Sequence, residues 1–300
     1  MTDRRFLLAF HPGREEAVAT AASIAVRLLA AGVIPVVLAE DRDVLLEGRQ
    51  GLDEVEPHSA GDEHEVELIM TLGGDGTILR AAELQREIGA PLLGINLGHV
   101  GFLAEAEVAE TAEVVERALL RDYEVEERLT LCVRVFQRDA LVHETWAINE
   151  AAIEKDGAGR MISALLEIDG HPISSFGTDA VILATPTGST AYSFSAGGPV
   201  VWPTAEVLLV VPLGAHALFT RPLVVAPTAT PAVTIAEDST SAAMLWCDSR
   251  RSFPLPPGSR VEATRDDRPL RLARLSRAPF ADRLVAKFHL PVEGFRRPRP

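Results

Sequence analysis

Three hundred residues, 47% of them apolar, supply enough chain for a sizeable core arranged as one large or two medium domains. A net charge of −14 argues against nucleic acid as the main partner, since a phosphate backbone requires a basic face. No run of 18 uncharged apolar residues occurs and the N-terminal apolar stretch, residues 6–10, is too short for a secretory signal core, so a cytoplasmic protein with no membrane contact is expected.

The first 120 or so residues alternate strand and helix. Residues 5–10 read as a strand, and 15–31 as an amphipathic helix with Val18, Ala21, Ala22, Ala25, Leu28 and Leu29 on one face. Gly32 ends that helix and 33–38 follow as a second strand. Residues 40–65 carry ten acidic side chains against two arginines, with Gly48, Gly51, Pro57 and Gly61 as breakers, and predict a solvated, mobile loop. Residues 66–72 read as a buried strand, 77–88 as a helix, 91–95 as a strand, and 108–120 as a helix after a glycine-rich turn. The alternation predicts an α/β domain with a parallel sheet.

From residue 123 onward the texture changes to short β-rich runs, at 129–137, 141–148, 162–168, 180–185, 207–211, 223–225, 232–235, 243–247 and 260–264. Proline and glycine punctuate nearly every gap, the pattern of a β-sandwich-like domain. The expected division is an α/β domain over 1–122, a β-rich domain over 123–277, and a segment over 278–300 that packs back on the first domain. Within that segment 280–290 reads as helical or mixed, and the basic, proline-rich tail from Gly294 is expected to fray. Cys132 and Cys247 stand far apart among apolar neighbours, as buried, reduced packing residues would, and no cysteine or histidine cluster offers a zinc site.

Two stretches carry chemistry. Gly73-Gly74-Asp75-Gly76-Thr77 joins the buried strand to the helix, which places Asp75 at the carboxyl end of a strand where ligands bind in open α/β sheets. A helix start there offers backbone N–H groups and a positive dipole end to a phosphate, and the glycines let a polyphosphate approach the backbone. The second stretch, Thr185-Pro186-Thr187-Gly188-Ser189-Thr190-Ala191-Tyr192-Ser193-Phe194-Ser195-Ala196-Gly197-Gly198-Pro199, follows the strand that begins after Gly177-Thr178-Asp179. Its hydroxyls, backbone groups and aromatic face suit a ribose and a base better than a hydrophobic tail.

The glycine loop resembles the phosphate loop of a superfamily that includes NAD kinases, diacylglycerol and sphingosine kinases and 6-phosphofructokinases. The second stretch closely resembles the hallmark of NAD kinases. Further matches are Leu93-Gly94-Ile95-Asn96-Leu97-Gly98 leading to Gly101-Phe102-Leu103, the pair Asn149-Glu150, and Arg221-Pro222-Leu223-Val224, while 278–294 looks like actinobacterial members. Two departures stand out: Ala215-His216 where the family usually has Pro-His, and Asp248-Ser249-Arg250 where it often has Asp-Gly-Gln.

The resemblance implies a phosphofructokinase- or diacylglycerol-kinase-like α/β domain and a kinase that moves a phosphoryl group from ATP or polyphosphate to the adenosine 2′-hydroxyl of NAD, giving NADP. It implies Asp75 as the general base, with Gly73, Gly74, Gly76 and Thr77 holding the phosphate donor and Arg80 contacting the dinucleotide. Asn149 and Glu150 would bind adenosine and ribose hydroxyls, Arg160 would be another contact, and Asp179, Thr187, Thr190, Ala191, Tyr192, Ser193, Phe194 and Ser195 would line the rest of the NAD pocket. Magnesium is implied with the donor, without a dedicated protein ligand cluster, as is a homodimer or homotetramer. The rivals are a lipid kinase of the same superfamily, which should lack the hydroxyl-rich stretch, and a non-catalytic NAD(H) sensor, which has no need of Asp75.

Overall fold

Strand β1 (Arg5–Phe10) lies between two parallel neighbours, β2 (Ile34–Leu38) and β4 (Leu68–Leu72), with Leu8 opposite both Val37 and Met70. The structure is a computed structural model and describes residues 4–62, 65–98, 101–104, 106–107, 110–157, 160–217, 220–275 and 279–292. The chain divides into two units, one running up to Glu127 and resuming at Leu270, the other spanning Arg128–Pro269.

In the first unit, helix α1 (Glu15–Ala30) buries Ala17, Val18, Ala21, Ala22, Ile24, Ala25 and Leu28 in the core, a stripe at helical spacing. Gly32, at φ +73°, ends it, and the N–H of Val33 closes back on the Leu28 carbonyl at 2.9 Å. After β2 come helix α2 (Arg42–Leu46) and strand β3 (Glu56–His58); after β4 come helix α3 (Asp75–Ile88), strands β5 (Leu92–Asn96) and β6 (Ala106–Glu107), helix α4 (Thr111–Leu119) and strand β7 (Glu124–Arg128). The sheet order is β3-β2-β1-β4-β5-β20-β7, with β6 beside β5 and with β20 (Leu270–Arg274) returned from the far end of the chain. An Arg274 to Glu126 ion pair at 2.8 Å joins β20 to its edge neighbour β7. Both fall within the stretch expected to be the β-rich domain, 123–277, and their place in the first sheet puts the division at 127 and 270.

The acidic stretch is not the loop its composition suggested. Residues Ala39–Asp41 form a 3₁₀ turn, α2 follows, and β3 pairs with β2. Leu45, Leu52 and Val55 are at most 2% exposed and belong to the core. The few apolar residues among the charges are spaced to reach the sheet while most of the carboxylates, Asp41 excepted, stay in water, so a low average hydropathy concealed an anchored segment. Helix α6 (Phe280–Phe288) sets the rings of Phe280 and Phe288 against Phe102, with centroids 5.7 and 5.9 Å away. The tail from Gly294 lies outside the described residues.

The second unit holds two six-stranded antiparallel sheets. One has the order β12-β11-β16-β19-β8-β9 and the other β15-β14-β13-β10-β17-β18. In chain order the strands are β8 (Leu131–Gln137), β9 (Ala140–Ala147), β10 (Glu150–Lys155), β11 (Ile162–Ile168), β12 (His171–Thr178), β13 (Ala180–Ala184), β14 (Leu208–Leu213), β15 (Leu223–Val225), β16 (Pro231–Ile235), β17 (Ala243–Cys247), β18 (Arg251–Leu255) and β19 (Ser259–Arg265). Alternate residues of both sheets, among them Val133, Val135, Ala164, Val233 and Val261 from one and Ala151, Ile153, Val181, Leu183 and Leu245 from the other, share a single core. That is the packing of a β-sandwich. The outer face of the second sheet carries a smaller apolar cluster, Ala152, Ile182, Ala184, Leu209 and Val211, covered by Tyr192, Ala196 and Val201.

Candidate active site

In the first unit the chain builds β2 and β3 on one side of β1 and then crosses to build β4 on the other. Such a reversal leaves a crevice at the carboxyl ends of the two central strands. Phe10 and Leu72 end those strands side by side, and the loop Gly73 to Thr77 begins there. The N–H of Gly73 extends the ladder to the Ile95 carbonyl at 2.9 Å, after which its φ of +151° turns the chain into α3. A Cβ on Gly73 would lie 2.3 Å from the Thr77 hydroxyl, so glycine is required for the turn to close.

Asp75 opens α3 and is half-buried. One carboxylate oxygen accepts the N–H of Phe102 at 3.2 Å and the other that of Leu103 at 3.1 Å. Each oxygen keeps a second lone-pair direction for a ligand, so the carboxylate is fixed in place and still able to accept a proton. Gly74 caps the helix, its carbonyl taking the N–H of Thr77 at 2.9 Å and of Ile78 at 3.2 Å, and Gly76 is exposed. Arg80, one turn on, directs its guanidinium to Glu40 at 3.2 Å and to Asp41 at 4.0 Å. Burial pushes the Asp41 carboxyl up, against the pull of Arg80. The acidic stretch therefore supplies the partners of Arg80.

In the second unit, Asn149 and Glu150 lead into β10. The carbonyl of Asn149 accepts the N–H of Thr185 at 2.9 Å, and the Thr185 hydroxyl donates to the Ile148 carbonyl at 2.6 Å. A Cβ on Gly188 would lie 2.0 Å from the Asn149 oxygen, so the hydroxyl-rich turn packs directly on this backbone. Opposite, Asp248 accepts the N–H groups of Ile148 at 2.9 Å and Asn149 at 2.7 Å, takes a further bond from Arg251 at 2.9 Å, and gives its own N–H to the Glu150 carbonyl. Burial pushes the Asp248 carboxyl up, while these donors pull the other way.

Glu150 is 4% exposed and accepts the N–H of Tyr192 at 3.3 Å. Burial first, and the Asp248 charge second, push its carboxyl up to about 8, so at neutral pH it is mostly protonated and able to donate as well as accept. Residues 150, 152 and 154 share the outer face of β10. Tyr192 runs along that face, its N–H at Glu150, its ring in the cluster with Ala152 and its hydroxyl at Glu154; burial and Glu154 push the phenol up to about 12. At the same end of the strand Lys155 pairs with Asp179 at 2.7 Å.

Of the other expected residues, Thr187 is buried and its carbonyl accepts the Thr190 hydroxyl at 3.3 Å, and Ala191 is half-buried just before the short helix α5 (Tyr192–Ser195). Phe194 and Ser195 are exposed on that helix. The Ser193 hydroxyl is buried, without a hydrogen-bond partner among the described residues, and points at Gly198, where a Cβ would meet it at 2.4 Å. Arg160 is exposed ahead of β11, in the other sheet, its carbonyl bonded to Ser241 at 2.6 Å; no contact among the described residues ties its side chain to Glu150 or Tyr192. Asp248 is the residue that sequence reasoning passed over. Its signal was the Asp248-Ser249-Arg250 departure, where Asp248 and Ser249 both sit at φ +53°.

The family model described as ATP-NAD kinase N-terminal domain matches residues 6–123, and that described as ATP-NAD kinase C-terminal domain matches 148–275. A protein of Leifsonia xyli subsp. xyli named NAD kinase is 53% identical over 296 residues, covering 98% of this chain and 97% of its own. Among solved structures, an NAD kinase from Archaeoglobus fulgidus in complex with ATP aligns with a TM-score of 0.68 at 26% identity, covering 95% of this chain and 98% of that one. Yeast NADH kinase complexed with NADH aligns with a TM-score of 0.87 over 99% of this chain and 91% of its own, and at 21% identity this is a likeness of fold. With both family models matched in order, and a relative more than half identical along nearly the whole chain, the chain belongs to the NAD kinase family.

Proposed function

We propose that the chain is an NAD kinase that transfers the terminal phosphoryl group of ATP, or of inorganic polyphosphate, to the adenosine 2′-hydroxyl of NAD, giving NADP. The observation that carries the reading is the placement of Asp75: a carboxylate at the first residue of α3, at the topological reversal of a parallel sheet, with both oxygens anchored by backbone N–H groups. Phosphoryl transfer requires an oriented polyphosphate and a base within reach of the attacking hydroxyl, and no covalent intermediate. Asp75 takes the proton of the 2′-hydroxyl as its oxygen bonds to the terminal phosphorus, and the bond from that phosphorus to the bridging oxygen breaks, leaving ADP or a shortened polyphosphate.

Gly73, Gly74, Gly76 and Thr77 hold the donor phosphates at the start of the helix. In the second unit Asn149 and the mostly protonated Glu150 offer hydrogen bonds to ribose hydroxyls and adenosine, while Asp179, Thr187, Thr190, Ala191, Tyr192, Phe194 and Ser195 complete the dinucleotide site. Arg80 and Arg160 are assigned further dinucleotide contacts, and Ser193 acts through the shape of the turn. Among the described residues no group of three or more His, Cys, Asp or Glu is arranged to hold a metal. This donor set fits a magnesium ion carried on the donor phosphates with Asp75 at hand, since magnesium keeps most of its waters and takes few protein ligands. When bound, it neutralises phosphate charge.

The protein is further proposed to work in the cytoplasm as a homodimer or homotetramer, on the strength of the family resemblance. No helix among the described residues is long and apolar enough to cross a membrane. Phosphorus NMR of the product formed from ATP and NAD tests the regiochemistry. A new 2′-phosphate monoester is expected; a 3′-phosphate, or one on the nicotinamide ribose, contradicts the assignment.

A further inference from the structure

A cavity of about 440 Å³ opens in the first unit at the sheet edge opposite Asp75. It is lined by Arg4, Arg5, Arg121 and Arg271 together with Glu65 and Glu67, and floored by the turn at Gly89. Arg4 and Arg5 stand at the amino end of β1, Glu67 just ahead of β4 and Arg271 near the start of β20. The phosphate loop begins at the other end of β4, roughly 20 Å away at the rise of a strand.

Four guanidinium groups stand here in a chain with 43 acidic and 29 basic side chains. Glu67 shows how they seat an oxyanion. Arg4 donates through Nε and Nη2 to its two oxygens, both at 2.8 Å, and Arg121 does the same at 2.9 and 2.8 Å. The paired guanidinium groups hold that carboxyl down at about 2. Arg5 is matched by Glu56 at 2.9 Å. Arg271 has no carboxylate among the described residues and donates to the Gly89 carbonyl at 2.6 Å. Among the described residues, and counting Glu56, three carboxylates stand beside these four guanidinium groups, and Glu65 is exposed at the rim. Arg121 is held at φ +56°, a backbone conformation that side chains rarely adopt, with its side chain 64% exposed. Planar guanidinium groups with donors to spare are the recognition chemistry of phosphate and carboxylate groups.

We propose that this cavity binds a small polyanion, a molecule bearing two or more phosphate or carboxylate groups, at a site separate from that of Asp75. Isothermal titration of the intact protein with inorganic pyrophosphate and, separately, with citrate tests it, using the wild type, Arg121→Asn/Arg271→Gln and Asp75→Asn. At least one anion should bind with a Kd of about 1 mM or tighter, weaken about tenfold or more in the double variant, and stay within about twofold in Asp75→Asn. Tighter binding of pyrophosphate identifies a phosphorylated ligand, and tighter binding of citrate a polycarboxylate. NAD phosphorylation by the double variant, measured without added anion, should stay within about twofold of wild type, because these side chains are remote from Asp75. Should the double variant fold poorly, Arg271→Gln alone must weaken binding about threefold or more. Absence of binding by both anions in the wild type, or binding kept in the arginine variants, overturns the proposal.

Discussion

Asp248 holds the N–H of Asn149 at 2.7 Å, with the N–H of Ile148 on its other oxygen at 2.9 Å, and so fixes the backbone from which Glu150 projects. The carboxylate is buried, with Arg251 as its counter-ion. Asp248→Ala would strip two backbone donors of their acceptor and leave Arg251 without this carboxylate. Removing one partner from a buried charged network costs about 3–5 kcal/mol. Urea unfolding should show that loss, and any folded fraction should bind NAD more weakly with little change in its affinity for the phosphate donor.

Glu150 makes stability depend on pH. Its carboxyl ordinarily titrates near 4.5 and in the fold near 8, so between those values the folded chain binds the extra proton. The contribution of Glu150 to stability is therefore full below pH 4.5, falls as pH rises toward 8, and levels off above it, by an amount on the order of a few kcal/mol. Glu150→Gln removes the titration while keeping the shape. Unfolding free energies at pH 6 and pH 8.5 should differ less in the variant than in the wild type; equal differences would show that Glu150 is not the titrating group.

Much of the fold was legible because its central strands are apolar and its helices carry regular stripes. Three of the strands that escaped detection have a common cause. β3, β12 and β18 contain Pro57, Pro172 and Pro254, and each is an edge strand, where a missing N–H costs no ladder bond. β10 is central, but Ile153 is its only β-branched residue, and Ala151 and Ala152 carry little strand signal. In the site, the loop around Asp75 and the stretch from Thr185 announced themselves through glycine and hydroxyl spacing. Asp248 did not, because its role arises from the pairing of β17 with β10, which sets Cys247 opposite Ala151 and carries the next residue to Glu150. The binding of Phe102 and Leu103 to Asp75 was equally out of reach, being a contact across 27 residues.

The acidic stretch is a stability element. Leu45 is fully buried in the core of the first unit, so Leu45→Ala should cost about 2–5 kcal/mol through lost burial and the cavity left behind. Deleting residues 42–55 would remove Leu52 and Val55 as well and should prevent that unit from folding. Circular dichroism melts of both variants check this, and a deletion that melts with the wild type would return the segment to the status of a linker.

The assignment of Asp75 as the base is tested most directly by steady-state kinetics of Asp75→Asn. Asparagine is nearly isosteric and still offers an oxygen to one of the Phe102 and Leu103 N–H groups, but it cannot take up the hydroxyl proton. The expected result is an unchanged circular dichroism spectrum, a KM for NAD within about threefold of wild type, and a kcat lowered by roughly 10² to 10⁴-fold. A folded variant whose kcat stays within about threefold of wild type would contradict it.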